Sequence, residues 1–167
     1  KYIPLDATAT PIAWYQGFAN FYLGNRDTAF ALFQEAEKVN PYHLMVLNDL
    51  GTCFNLNGDA KTAEKYYKKA LSIQPEFGDA LVNLAIIYYN SGQTDTAYTT
   101  LIRHSGKIKP ESVSVFSTII LAKASTITTD EIALQRLRRK LDKPGNISEL
   151  LKVLRNPNKG IQAVIDN

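Results

Sequence analysis

Three prolines divide this chain into segments of nearly equal length. Pro41, Pro75 and Pro110 each follow an apolar helical segment, at spacings of 34 and 35 residues. The same residue types return at equivalent positions: Gly17, Gly51 and Ala85; Gly24, Gly58 and Gly92; Ala29, Ala63 and Ala97; Phe33, Tyr67 and Leu101. Such a period is typical of stacked helical hairpins, because a single hairpin cannot bury its own apolar face. The sequence therefore predicts an all-α fold, an α-solenoid of antiparallel helical hairpins, and such folds generally bind partners rather than convert substrates.

The middle segment shows the hairpin most clearly. Apolar residues at i, i+3, i+4 and i+7 form one helix face over Leu47–Phe54, and the same spacing returns over Ala63–Leu71. A short turn at Gly58 separates the two helices, so they must lie antiparallel. We expect the small residues Gly51 and Ala63 to let the two helix backbones approach closely.

These positions resemble the tetratricopeptide repeat. The matching residues of the middle unit are Leu47, Leu50, Gly51, Phe54, Ala63, Tyr67, Ala70 and Pro75. Similar matches on either side predict three repeats, 10–43, 44–77 and 78–110, and the resemblance implies a right-handed superhelix. The first repeat departs from the family pattern at Gln16 and Asn20, where apolar residues are usual. The third departs at His104, Ser105 and Gly106, where we expect a bulge or an early helix end.

The pattern weakens after Pro110. Ser112–Ala124 is predicted to open a degenerate fourth hairpin within residues 111–167, followed by capping helices that cover the last apolar face. Thr128 and Glu131 predict a capping box for a helix that reaches Leu141. Asn146 is predicted to cap the next helix, 147–154, and a last short helix is expected over 159–165. Residues 1–9 are expected to form a lead-in.

The family resemblance also implies a partner-binding groove, because the first helix of each tetratricopeptide hairpin lines a concave surface. The implied groove residues are Trp14, Phe18, Phe21, Tyr22, Met45, Asn48, Asp49, Thr52, Asn55, Asp79, Asn83, Ile86 and Tyr89. We expect an extended peptide or a partner helix to occupy it. Some members bind a C-terminal carboxylate through Lys, Arg and Asn. That mode is not expected here, because Asp49 and Asp79 stand among the corresponding positions.

The first helix points to a binding surface without the family pattern. Its predicted packing side is Ala13, Gly17 and Gly24. A separate aromatic stripe comprises Trp14, Phe18, Phe21 and Tyr22. A helix that is apolar on two faces must be covered on both, or it offers a patch to a partner. Two interpretations stay open: the stripe recruits a partner, or it is covered by an upstream domain or by Tyr2, Ile3 and Leu5.

Asparagines form the second notable group in these helices. They are Asn48, Asn55, Asn83 and Asn90. Asn is a poor helix former, and its amide suits a peptide backbone or a sugar hydroxyl. The alternative interpretation is a set of solvated or turn positions, which we favour for Asn90.

No catalytic site, metal site or cofactor is predicted. Cys53 is the only cysteine, it is expected to be buried, and no histidine lies within a helical turn of it. His43 and His104 stand apart, so metal-ligand spacing is missing. The basic run Arg136, Arg138, Arg139 and Lys140 is interpreted as a solvated helix face. Contact with nucleic acid or anionic lipid is the alternative.

A second resemblance concerns segments 40–53 and 77–90. They look like the C-terminal periplasmic repeat domain of bacterial O-antigen ligase- or polymerase-type membrane proteins. This resemblance implies that a preceding membrane portion carries glycosyl transfer, and a chain that starts at Lys1 rather than Met suits an excised piece. No apolar run here approaches the ~20 residues that span a bilayer. The periplasmic side is favoured, with the cytoplasm as the alternative.

Taken together, these features predict a non-catalytic scaffold whose partner is a protein or peptide. Nucleic acid is not expected, because the net charge is only +3 and its basic excess is mild. Three alternatives stay open: an accessory role in a cell-envelope glycan enzyme, surface contact through the basic C-terminal helices, and self-association through uncovered ends of the stack.

Overall fold

Helices and connecting turns make up the described part of the chain. A computed structural model describes residues 10–156 and 160–166, and these contain helices and no strand. The helices are α1 Ile12–Tyr22, α2 Arg26–Val39, α3 Leu44–Leu56, α4 Ala60–Ile73, α5 Gly78–Asn90, α6 Thr94–Leu101, α7 Val113–Ser125, α8 Glu131–Lys140, α9 Pro144–Leu154 and α10 Gln162–Ile165. The chain divides into two compact units, Lys1–Ala80 and Leu81–Asn167, and the division falls within the residues of α5. The all-α fold predicted from the sequence is confirmed.

The first unit consists of two helical hairpins packed side by side. Helix α1 packs on α2, α3 packs on α4, and α2 joins the pairs by packing on α3. Their shared core contains Ala29, Phe33, Ala36, Val46 and Leu50, all almost fully buried. These residues recur at helical spacing, so each helix contributes one apolar stripe to a common interior.

Glycine closes the turn of each hairpin. Gly24 and Gly58 both adopt φ +84°, a left-handed conformation that L side chains rarely adopt. Gly24 was expected on the packing side of α1. The structure places it beyond the end of that helix, exposed in the turn. The period-34 match between Gly24 and Gly58 therefore reflects turn geometry rather than helix packing.

A different pair of glycines makes room for an aromatic ring. A Cβ at Gly17 would lie 2.8 Å from the ring of Phe33, and a Cβ at Gly51 would lie 2.6 Å from the ring of Tyr67. The prediction for Gly51 was close approach of two backbones. Its nearest neighbour is instead a side-chain ring from the second helix of the hairpin. In both hairpins of the first unit, an aromatic ring of the second helix therefore packs against a glycine of the first helix.

Aromatic and charged contacts also connect neighbouring helices of this unit. The rings of Phe30 and Phe54 meet edge-on at 5.2 Å, and Phe54 stacks on Tyr66 at 5.4 Å. Tyr66 Oη donates to a carboxylate oxygen of Glu37 at 3.0 Å, and Lys69 Nζ donates to the other at 3.1 Å. These contacts link α2, α3 and α4 outside the core.

The second unit is centred on α7. Helix α7 packs against α6, α8 and α9, and α10 packs on α8 and α9. Its fully buried residues include Phe116, Ile120, Leu137 and Leu141. Helix α6 ends at Leu101, which confirms the early end expected before His104. The His104 ring is buried and meets Phe116 edge-on at 5.5 Å.

Two predicted helix caps are wrong in detail. Helix α8 is capped by Asp130, whose carboxylate accepts from the backbone N–H groups of Ile132 and Ala133. Thr128 instead accepts from the backbone N–H of Asp130, so the hydroxyl orders the turn before the cap. Helix α9 begins at Pro144 rather than after Asn146, because proline is well suited to the first helical turn. Asn146 Nδ2 donates to Asp142 Oδ1. The last helix begins at Gln162, and Lys159 lies outside the described residues.

Candidate partner-binding surface

Helix α1 presents two different faces, as its sequence predicts. Ala13 and Gly17 point into the core. Trp14, Phe18 and Tyr22 follow one another at four-residue intervals on another side, and residues so spaced are neighbours on a helix surface. Their ring centroids lie 5.3 Å apart for Trp14 and Phe18, and 4.7 Å apart for Phe18 and Tyr22. These three residues form a continuous row, which we call the aromatic row.

Exposure increases along the aromatic row. Trp14 is partly buried and packs against the core, Phe18 is 39% exposed, and Tyr22 is 76% exposed. Phe21, predicted to belong to the same stripe, is partly buried against the core. Tyr15 was not predicted, although it is 59% exposed and its ring meets Trp14 at 5.0 Å. The accessible part of the aromatic row therefore lies towards the C-terminal end of α1.

A carboxylate on α3 holds the inner end of the aromatic row. Trp14 Nε1 donates to Asp49 Oδ2 at 2.8 Å, and Asn48 Nδ2 donates to Asp49 Oδ1 at 3.1 Å. These bonds fix the carboxylate between α1 and α3. Its negative charge also acts on Cys53. Burial is the larger cause of the raised pKa of that thiol, and the charge of Asp49 raises it further. Asp49 is thus an oriented charge in a partly buried setting.

A small pocket lies beside this carboxylate. Its volume is about 100 Å³, and it is lined by Phe18, Phe21, Tyr22, Phe33, Asp49 and Thr52. Phe33 is buried and belongs to the core, so it is a fixed part of the lining. Thr52 Oγ1 donates to the carbonyl of Asn48 at 3.1 Å, which orients the hydroxyl along α3. Five of the six lining residues come from α1 and α3, two of the helices that the family pattern assigns to a groove. Phe33 lies on α2.

The remaining predicted groove residues have different surroundings. Asn48 is only 6% exposed, and its amide donates to the neighbouring Asp49 within the protein. Met45, Asn55 and Asp79 are partly buried within the first unit. Asn83, also partly buried, lies in the second unit.

The two other predicted residues of α5 lie in a second cleft. Ile86 and Tyr89 line a cavity of about 240 Å³ in the second unit, together with Ser114, Val115 and Thr118 of α7. Sequence reasoning missed this contribution of α7. A signal was present in the sequence, because the helix after Pro110 was already interpreted as the start of a fourth hairpin. Applying the groove positions to that helix could have identified these residues.

The basic run of α8 does not form one surface. Arg136, Arg139 and Lys140 line an open depression of about 680 Å³ beside α9, which also contains Glu149. Arg138 lines a different depression, beside α7. Adjacent cations in sequence are therefore split between two sides of the helix, as the helical period requires.

The single cysteine has the surroundings of a structural thiol. Cys53 is 6% exposed, and burial together with the charge of Asp49 raises its pKa to about 11. Its reactive thiolate form is therefore scarce at neutral pH. Within residues 10–156 and 160–166, no three His, Cys, Asp or Glu side chains come together in a way that would hold a metal ion.

Comparison with known families bears on the same helices. A family model described as the tetratricopeptide repeat matches residues 54–107. This segment is similar to the tetratricopeptide repeat. It runs from the end of α3 to the turn after α6, and the match supports the resemblance found from residue spacing. No match was found among curated proteins. Neither comparison supports the O-antigen ligase resemblance, which stays a prediction from sequence.

None of the described helices combines the length and apolar character that crossing a membrane requires. The tetratricopeptide family typically serves as a non-catalytic scaffold, and its repeats generally mediate protein–protein interaction.

Proposed function

We propose that this chain is a non-catalytic protein-interaction module that binds an extended peptide or a partner helix on the surface shared by α1 and α3. The tetratricopeptide similarity supports the general class. The accessible aromatic row supports the location, because Phe18 and Tyr22 leave large apolar area in contact with water. Aromatic residues of this kind dominate the binding energy of protein interfaces.

The observation that carries the proposal is the combination of one hydrogen-bonded aromatic residue, Trp14, with exposed rings beside it. Trp14 is fixed by its hydrogen bond to Asp49, and the row continues outward through Phe18 to Tyr22. A preorganised surface loses little conformational freedom on binding, which favours affinity. The polar side chains of α3 beside it offer hydrogen bonds to a peptide backbone.

The test is a selection of binding peptides from a random displayed library, followed by affinity measurements with variants. We expect Phe18→Ala combined with Tyr22→Ala to weaken the selected peptides by about tenfold or more, the loss typical of an interface anchor. Tyr42→Ala is the control, because Tyr42 is an exposed aromatic residue, with 54% of its surface accessible, that lies outside the aromatic row. Equal affinities for the double variant and the control would contradict the proposal.

The same variants separate the alternatives. Self-association through the aromatic row would appear as a concentration-dependent dimer that the double variant abolishes in sedimentation velocity. Binding through the basic helix α8 would instead respond to charge reversal at Arg138 and Arg139, and it would weaken steeply with salt. An oligosaccharide that competes with the selected peptides would favour the accessory role in glycan chemistry.

A further inference from the structure

The pocket beside Asp49 has the composition of a cation site. We propose that this pocket receives the positively charged end of a Lys or Arg side chain from the bound partner, an inference that rests on the proposed function. Four aromatic residues, one oriented carboxylate and Thr52 line it. Aromatic faces attract cations through their quadrupole, and a carboxylate adds a charge-assisted hydrogen bond.

The distribution of charge on the first unit supports a cationic guest. Helix α1 carries no charged side chain, and α3 carries only Asp49. Every lysine and arginine within residues 10–80 lies on α2 or α4, which are the second helices of the two hairpins. The surface formed by α1 and α3 is therefore aromatic and acidic. Its complement is a basic side chain.

The histidine near the inner end of the row does not oppose a cation. His43 lies 6.0 Å from the Trp14 ring, and its Nδ1 accepts a hydrogen bond from the backbone N–H of Val46. Accepting at Nδ1 leaves the proton on Nε2, which donates to Thr10 Oγ1 at 2.9 Å. The ring is neutral in this arrangement. Asp49 is then the charge that a guest in the pocket meets.

The size of the pocket fits a side-chain end rather than a larger element. About 100 Å³ accommodates an ammonium or guanidinium group with its last methylenes, whereas a helix would have to lie outside on the exposed rings. A partner that lays its backbone along the aromatic row can insert one long basic side chain here. Lys and Arg have apolar stems that pack against rings while the charged end reaches a carboxylate.

The test uses the indole N–H resonance of Trp14, the only tryptophan, because that group donates to Asp49. The probes are N-acetyl-lysine-N-methylamide, the corresponding arginine derivative and the uncharged norleucine derivative. We expect a saturable shift of the indole resonance with the lysine and arginine probes and a much smaller one with norleucine. Asp49→Asn, which keeps an acceptor for the indole, is expected to weaken binding of the charged probes about tenfold.

Matched variants distinguish a specific site from general charge effects. Glu35→Gln removes an exposed acid of α2 and is expected to leave binding unchanged. Tyr22→Leu leaves Asp49 in place and removes an exposed aromatic face, so it should weaken the charged probes without affecting the norleucine probe. This second variant keeps the test decisive if Asp49→Asn disturbs the fold.

Each contrary outcome has a distinct meaning. Equal shifts with norleucine and lysine would overturn the cation site and leave the protein-binding proposal intact, because the pocket would then accept apolar groups. No shift with any probe would also overturn the cation site. Loss of selected-peptide binding in the Phe18 and Tyr22 double variant tests the broader proposal separately.

Discussion

At the residue scale, positions 17 and 51 depend on the absence of a side chain. We predict that Gly51→Ala destabilises the protein, because the new methyl group would lie 2.6–3.0 Å from three ring atoms of the buried Tyr67. Alanine gains up to about 1 kcal/mol of helix propensity over glycine. Overpacking a well-filled core typically costs about 1–3 kcal/mol, so the net change should be a loss. Urea unfolding monitored by circular dichroism measures the difference.

Gly145→Ala is the control for this substitution. Gly145 also lies in a helix, but a Cβ there meets nothing within 4 Å. The free energy of unfolding should stay unchanged or rise. If both alanine variants alter stability equally, steric contact with Tyr67 does not explain the requirement for glycine.

His43 gives the protein a predicted pH dependence. Burial lowers the pKa of His43, so its folded-state pKa lies below the value of about 6.5 expected in the unfolded chain. The unfolded state then binds the proton more readily, and this contribution to stability is full above about pH 6.5 and is lost as the pH falls below it. We expect the melting temperature to fall between about pH 7.5 and about pH 5.5.

The substitution His43→Asn isolates this contribution. Asparagine can accept from the N–H of Val46 at the start of α3 but does not titrate in this range. The melting temperature of the variant should therefore change less over the same pH interval. Parallel curves for the two proteins would rule out His43 as the source.

At this scale, the faces of a helix could be predicted from the sequence better than the individual side-chain hydrogen bonds. The sequence predicted an aromatic stripe on α1 that also contained Phe21. Phe18 and Tyr22 are exposed, whereas Phe21 packs against the core. The bond between Trp14 and Asp49 joins residues 35 positions apart. Repeat spacing places both on first helices, but it does not specify how two side chains orient across the gap. Likewise, the amide of Asn48 was predicted to suit contacts with a partner, whereas tertiary packing buries this residue.

At the element scale, the helices of the hairpins could be predicted and several of their ends could not. Apolar periodicity located α3 and α4, and Gly58 located the turn between them. Helix starts depend on a single capping side chain, and neighbouring polar residues compete for that role. In Thr128-Thr129-Asp130-Glu131 the sequence pattern favoured Thr128, whereas Asp130 caps the helix.

The cap of α8 yields a direct comparison of two neighbouring residues. We predict that Asp130→Ala lowers the free energy of unfolding by about 0.5–2 kcal/mol, because two backbone N–H groups lose their acceptor. Thr128→Ala removes one bond in the preceding turn and should have a smaller effect. Thermal unfolding of both variants gives the order. A larger loss for Thr128→Ala would restore the capping box predicted from the sequence.

At the scale of the whole molecule, the clearest arrangement of charge is the separation between the helices of the first unit. The described cations of the first unit lie on second helices, and its first helices α1 and α3 carry only the acid Asp49. Composition alone gave a net charge of +3 and hid this separation. The repeat period reveals it, because it tells which positions share a surface. A partner that meets the aromatic row thus encounters rings and a carboxylate on two helices that carry no Lys or Arg.

The most direct test of the interaction surface is hydroxyl-radical footprinting of the protein with and without a peptide selected on it. This method reads the solvent exposure of individual aromatic side chains. We expect the bound peptide to reduce oxidation of Phe18 and Tyr22 and to leave oxidation of the control Tyr42 unchanged. The exposure of Tyr42 lies between those of the other two, and it stands outside the aromatic row. Unchanged oxidation of Phe18 and Tyr22 at saturating peptide, with protection elsewhere in the chain, would contradict a binding surface on α1 and α3.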